Sequence, residues 1–373
     1  MERIGVVGLG AMGLGIAQLY AQAGHPVLAT DAQSGARETA HQRIRANLTP
    51  RVEAGKMAAA DLEALLSRLT VVETAEEVAA ADLVIEAVLE DLAVKRALFA
   101  RLEAAAGRGT ILATNTSALS VADIADGLKR PGRMIGLHFF NPAPVMRLVE
   151  LVAPPGADPE ALAIARRVTE GAGKTVIACA DRPGFVVNRC ARPFYGEALA
   201  LMEEGRSASD VDAAMLAAGY RLGPFSLIDL VGADVNLAAT EGLARAMDFN
   251  PRYHVFDALK AQVAKGDLGR KTGRGFLYPD TPGPAPADAD AIALRIEAAL
   301  ANEAASLLAE GAVTEADIDT ALKLGLNFPR GAFSAARAQG LDRVRAELAR
   351  LAASAPTGLK GRYDLEAPLA TME

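Results

Sequence analysis

Residues 6–15 read VVGLGAMGLG, and this stretch constrains the fold of the 373-residue chain more than any other. Glycines 8, 10 and 13 follow the β-branched run RIGVVG (3–8) and precede a helical run. Gly8 permits a tight strand-to-helix turn, Gly10 lets a phosphate approach the backbone, and Gly13 allows the helix to lie close on the strand. The N–H groups and positive dipole end of that helix attract an anionic group. Asp31 ends a second strand 23 residues after Gly8, where a carboxylate accepts from the hydroxyls of a ribose and repels a 2′-phosphate. The loop Gly8-Leu9-Gly10-Ala11-Met12-Gly13 with Asp31 therefore describes a dinucleotide site selective for NAD over NADP. Arg37 would argue for a 2′-phosphate, but its position places it inside the following helix. FAD shares the fingerprint, and the later residues argue against it.

The rest of the first 180 or so residues continues the alternation. HPVLATD (25–31), LTVVE (69–73), DLVIEAV (82–88) and TILATN (110–115) are short apolar runs separated by Ala- and Leu-rich helical segments. Runs this apolar, spaced by helices, predict a doubly wound parallel sheet covered on both faces. RMIGLHF, RLVELV and KTVIACA extend it, and DRPGF (181–185) ends it. The remainder of the chain is helical, with one Pro-rich linker, PDTPGPAPADAD (279–290). The two helical parts share an order of residues: EALALMEEGRSASDVDAAM (197–215) aligns with EAASLLAEGAVTEADIDTAL (303–322), and GPFSLIDLVGADV (223–235) with GAFSAARAQGLDRV (331–344). The expected organisation is an α/β Rossmann-type domain at 1–182, an all-α domain at 183–282, and a linker with a second, duplicated all-α copy at 283–373.

Composition narrows the partners. A net charge of −7 argues against nucleic acid or an anionic membrane, and no apolar run reaches the roughly 18–20 residues of a membrane span. The first strand begins at Arg3, so no leader is expected. Two cysteines, Cys179 and Cys190, outside any CxxC pattern, make a zinc or disulfide framework improbable and fit a reducing cytoplasm.

Two apolar β-prone runs carry ionisable residues: His138 in GLHFF and Glu150 in RLVEL, separated by Asn141-Pro142-Ala143-Pro144. Lone buried charges are costly, so each demands a partner. If the two runs pair, a carboxylate would hold the imidazole tautomer and favour the imidazolium, which makes a general base. A core histidine bonded to a backbone carbonyl is the plain alternative. Asn115 and Ser117 lie just past the fifth strand, at the sheet edge where ligands bind, and Asn188 opens the helical part.

GLGAMG, EAVLED, NTSALS, HFFNPAPVMRLVEL, DRPGFVVNR, GPFSLIDLVG and GRKTGRGF, spread over residues 1–280, make the chain similar to the L-3-hydroxyacyl-CoA dehydrogenases. The resemblance implies NAD-dependent oxidation of a 3-hydroxyacyl-CoA, with His138 and Glu150 as catalytic pair and Ser117 and Asn188 binding substrate. It implies NAD contacts at Asp31, Glu90, Lys95, Asn115, Asn141 and Lys271, beside the glycine loop. Arg45, Arg51 and Lys56, on the helical arm at about 35–67, become candidates for the CoA phosphates, with Asn47 standing where the family often has serine. The extra helical copy is similar to that of longer bacterial members and carries none of the catalytic motifs. It predicts either a homodimer or a pseudo-dimeric monomer. Short or 3-hydroxyadipyl chains are the first substrates to expect. Rival readings are a related dehydrogenase of a free hydroxy or sugar acid, and a non-catalytic crystallin-like protein.

Overall fold

The sheet is built from β1 (Ile4–Val7), β2 (Val27–Thr30), β3 (Leu69–Val71), β4 (Leu83–Glu86), β5 (Ile111–Thr114), β6 (Met134–Phe139), β7 (Leu148–Ala153) and β8 (Thr175–Ala180). Their order in the computed structural model, which describes all residues 1–373, is β3-β2-β1-β4-β5-β6-β7-β8. Strands β1 to β6 run parallel. Their residues are almost all buried, as strands covered by helices on both faces must be. The order reverses direction of growth at β1 and β4, the switch point where ligands of such sheets bind. β7 returns beside β6 across the Asn-Pro-Ala-Pro link and is antiparallel to it, and β8 runs parallel to β7. The physical reason is the length of the link. Eight residues separate Phe139 from Leu148, enough for a hairpin-like return and too few for a parallel crossover of a dozen or more.

The chain divides into two compact units, Met1–Phe185 and Val186–Glu373. The first is held by a core of sheet residues with α1 (Ala11–Gln22) and α2 (Ser34–Glu53). Tyr20 of α1 is fully buried, and its hydroxyl meets the Thr169 hydroxyl at 2.8 Å.

The second unit is all helical, apart from one isolated bridge between Gly269 and Arg274. Its centre is the helix Ala289–Ala309, whose buried residues lie all round its circumference rather than along a stripe. Two features occur twice in this unit. Asp212 accepts from the backbone N–H of Phe225 and Ser226, at 2.9 and 2.7 Å, at the start of the helix Pro224–Val231. Asp319 does the same for Phe333 and Ser334, at 2.9 and 3.0 Å, at the start of Ala332–Gln339. Gly223 and Gly331 precede these helices because a Cβ there would lie 2.3 and 2.2 Å from the respective carboxylate carbons.

The second repeated feature is an exchange of buried charge. Arg189 donates from Nε to Glu303 at 2.7 Å and also pairs with Glu310. Arg295 donates from Nε to Glu197 at 2.8 Å and pairs with Glu204 at 2.6 Å. Glu303 further receives Arg252 and the Tyr253 hydroxyl, while Glu197 receives Arg362 and the Tyr363 hydroxyl. Both glutamates are fully buried. Burial alone would raise the Glu197 carboxyl, but Arg362 and Arg295 hold it below its ordinary range. No helix of the protein is long and apolar enough to cross a membrane.

Candidate active site

The turn after β1 has the geometry its glycines foretell. Gly8 adopts φ +99°, and a Cβ there would stand 2.5 Å from the Ala87 carbonyl oxygen. A Cβ on Gly13 would fall 1.8 Å from the Gly8 carbonyl oxygen, so α1 can lie this close only with glycine. A Cβ on Gly10 would meet nothing within 4 Å, which leaves the outer side of the turn open. Gly10 caps α1 with no side-chain bond, and the first turn carries no acidic residue. Its N–H groups are thus available to an anion, and NAD fits the site. Asp31 stands at the end of β2 and accepts from Leu9 N–H at 2.6 Å and Gln33 N–H at 2.8 Å, which fixes its carboxylate beside the loop.

His138 and Glu150 are direct partners in the antiparallel register of β6 and β7. Directly opposed residues share a face, and His138 Nδ1 lies 2.6 Å from Glu150 Oε2. Glu150 is fully buried and His138 is 6% exposed. The imidazole is walled by Phe140 and Phe185, at ring centroid distances of 4.6 and 5.8 Å. With Nδ1 committed to the carboxylate, Nε2 is the ring atom that can exchange a proton with a ligand. Asn115 accepts from Phe139 N–H at 2.8 Å through its amide oxygen, so it ties the end of β5 to the end of β6 beside the dyad.

A second buried network links the ends of β4 and β5. Glu86 is fully buried and accepts from Lys95 Nζ at 2.6 Å, Thr114 Oγ1 at 2.7 Å and Val88 N–H at 2.6 Å. Lys95, 1% exposed, also reaches Glu90 at 3.1 Å. Glu90 in turn accepts from the Thr116 hydroxyl and from Ser117 N–H at 3.0 Å. Burial works to raise the Glu90 carboxyl, but the Lys95 charge and these donors together hold it below its ordinary range. The chain Glu86–Lys95–Glu90 thereby sets the turn that carries Ser117, which is itself exposed. Glu86, Thr114 and Thr116 are not among the sequence candidates. The signal is nonetheless present: Glu86 is an ionisable residue inside the apolar run DLVIEAV, with Lys95 nine residues on.

Asn141 is exposed on the link between β6 and β7. Arg45, Arg51 and Lys56 are all exposed, and Arg45 is forked onto Glu63, with one arm at 2.9 Å. Asn188 and Lys271 belong to the second unit. Asn188 lies on the short helix Val187–Cys190, its carbonyl accepting from Arg192 Nε at 3.1 Å. Lys271 is exposed beside Gly232 and pairs with Asp234.

The link between the dyad strands is anchored by a residue that carries no motif. Lys174, just before β8, donates to the carbonyls of Ala143 and Met146, each at 2.6 Å. It is 8% exposed with no carboxylate beside it, and burial pushes its ammonium down to about 8 from 10.5. Below pH 8 the cost of burying this charge is fully present. Between about pH 8 and 10.5 the unfolded chain binds more protons than the folded one, so the cost is relieved as pH rises. Over that range the unfolding free energy of the native chain is expected to gain roughly 2–3 kcal/mol relative to Lys174→Met, as read from urea unfolding at each pH. A difference that stays flat with pH would contradict it.

The NAD-binding domain model of 3-hydroxyacyl-CoA dehydrogenase matches residues 3–182, and the C-terminal domain model of the same enzymes matches 184–278 and 292–366. The chain belongs to the 3-hydroxyacyl-CoA dehydrogenase family. It is accordingly an NAD-dependent oxidoreductase. It is 43% identical to the 3-hydroxyadipyl-CoA dehydrogenase of Escherichia coli K12, over 74% of this chain and 58% of that protein. It is 38% identical to human mitochondrial hydroxyacyl-coenzyme A dehydrogenase, over 74% of this chain and 90% of the human one. Among solved structures, the 3-hydroxybutyryl-CoA dehydrogenase of Escherichia coli K12 superposes with a TM-score of 0.90 at 32% identity, covering 99% of this chain and 97% of the other.

Proposed function

We propose that the chain oxidises the 3-hydroxyl of an (S)-3-hydroxyacyl-CoA to the 3-oxo thioester with NAD⁺, and that short or ω-carboxylated acyl chains suit it best. The observation that carries this reading is the 2.6 Å bond between His138 Nδ1 and the buried Glu150 carboxylate. Glu150 holds the ring with Nε2 outward, Nε2 takes the hydroxyl proton, and the carboxylate stabilises the imidazolium that results. The Ser117 hydroxyl donates to the same substrate oxygen, and Asn188 is assigned to positioning the substrate. The bound nicotinamide supplies the hydride acceptor. The glycine loop, Asp31, Glu90, Lys95, Asn115, Asn141 and Lys271 are the assigned contacts of NAD as a whole. Arg45, Arg51 and Lys56 are assigned to the CoA phosphates.

The choice of acyl chain rests on relatives named for 3-hydroxyadipyl-CoA and 3-hydroxybutyryl-CoA, and it suits fatty-acid or aromatic-acid catabolism in a cytoplasmic setting. The test is NADH formation from CoA thioesters of increasing length, with and without a terminal carboxylate, beside the matching free 3-hydroxy acids. Turnover concentrated on four-carbon and ω-carboxylated thioesters is the expected result. Comparable kcat/KM on a free acid would overturn the thioester assignment.

We read residues 283–373 as a linker and a degenerate second copy of 183–282, the two forming a pseudo-dimer within one chain. Supporting this are the two stretches matched by the C-terminal domain model, the paired Asp–Gly helix starts, and the two-way Arg–Glu exchange. A contact that swaps the same residues in both directions is the signature of an isologous interface.

A further inference from the structure

We propose that Arg37 and Arg43 form a latent cradle for a 2′-phosphate, and that Asp31 alone holds the cofactor site to NAD. Both arginines lie on α2, and both are half-buried. Arg37 Nη1 donates to the Asp31 carbonyl at 2.6 Å and, more weakly, to that of Ala32 at 3.4 Å. Arg43 Nη1 donates to the Leu9 carbonyl at 2.8 Å, inside the glycine loop. The two guanidinium groups therefore bracket the carboxyl ends of β1 and β2, where the adenosine ribose of a dinucleotide lies in this fold.

Neither cation is spent on a carboxylate. Each donates to backbone carbonyls through Nη1 alone and keeps its charge and the donors on Nε and Nη2. In a chain of net charge −7, two half-buried arginines paired only with backbone oxygens are a local excess of positive charge. A planar guanidinium is the side chain best suited to a phosphate. What opposes a 2′-phosphate is the Asp31 carboxylate, fixed in place by Leu9 and Gln33 N–H. Selectivity then depends on one repulsive group set against two attractive ones already in position, not on a site shaped for NAD throughout. The inference rests on the NAD site at the glycine loop and goes beyond it.

The experiment is direct titration of NADH and NADPH, followed by calorimetry, on the whole chain and three variants. The native chain is expected to bind NADH and to discriminate against NADPH. Asp31→Asn is expected to tighten NADPH by roughly 10- to 100-fold, with the gain shrinking at high salt as a charge interaction must. Adding Arg37→Ala and Arg43→Ala to Asp31→Asn is expected to abolish the gain. In the native background, the double arginine variant lowers NADPH affinity more than NADH affinity, which keeps the proposal testable where Asp31→Asn fails to fold. The proposal is overturned if folded Asp31→Asn gains nothing for NADPH, if the gain survives loss of both arginines, or if the arginine pair affects both cofactors equally. Failure of the native chain to bind NADH would instead overturn the cofactor site itself.

Discussion

His138→Gln is expected to lower kcat by roughly 10²- to 10⁴-fold, the usual cost of losing a general base, while NADH binding measured by fluorescence stays within a few-fold of native. The reasoning is geometric. Glutamine fills similar space between Phe140 and Phe185 and can still meet Glu150, but it has no nitrogen that accepts a proton near neutral pH. The glycine loop and Asp31, proposed to hold NAD, lie on β1, β2 and α1, whereas His138 lies on β6, so cofactor affinity reports on folding. Glu150→Gln keeps the shape of the partner and removes the charge that stabilises the imidazolium. It should lower kcat less than His138→Gln and displace the acidic limb of the pH–rate profile. Normal turnover by His138→Gln, or a profile unchanged by Glu150→Gln, would remove the dyad from the chemistry.

Glu197→Gln is expected to destabilise the second unit by about 3–5 kcal/mol, because it leaves Arg362 buried without a counter-charge and Arg295 with Glu204 alone. Glu303→Gln is expected to cost less, since Arg189 keeps Glu310 and Arg252 keeps Glu366. Equilibrium unfolding in urea, followed by far-ultraviolet dichroism, measures both. The pair matters more than either value. The glutamate whose arginines keep second carboxylates should show the smaller loss, and an equal or larger loss at Glu303 would contradict this reading.

Much of the first unit is legible in the sequence because its signals are local. The glycine loop is a contiguous string whose turn chemistry has few solutions, and the strands β1 to β5 announce themselves as short β-branched runs. The contact of His138 with Glu150 follows from the cost of burying either residue alone. The same cost applies to Glu86, but the apolar periodicity of its run masks the carboxylate and so hides the Lys95 pair. Lys95 cannot be placed from sequence for a different reason. A long side chain on a helix surface can snorkel or bury, and only the carboxylates at 86 and 90 decide which. Arg37 lies within a helix as expected, yet its guanidinium reaches back to the strand end six residues earlier. Its place in a helix therefore does not settle its role. The reversal of β7 and β8 is not visible in their composition, because an apolar strand reads alike in both directions.

That reversal has a consequence for how such a site can be inherited and altered. In a sheet of purely parallel strands, acid and base on neighbouring strands come from distant parts of a gene, joined by a crossover. Here His138 and Glu150 sit 12 residues apart on two arms of a single bend, so the proposed proton-handling pair is one contiguous cassette whose alignment is set by the pairing of β6 with β7. One residue added inside β7 ahead of Glu150 would turn Glu150 to the opposite side of the sheet and part it from His138. The link is constrained as well, since Ala143 is buried and its carbonyl, with that of Met146, takes the Lys174 ammonium.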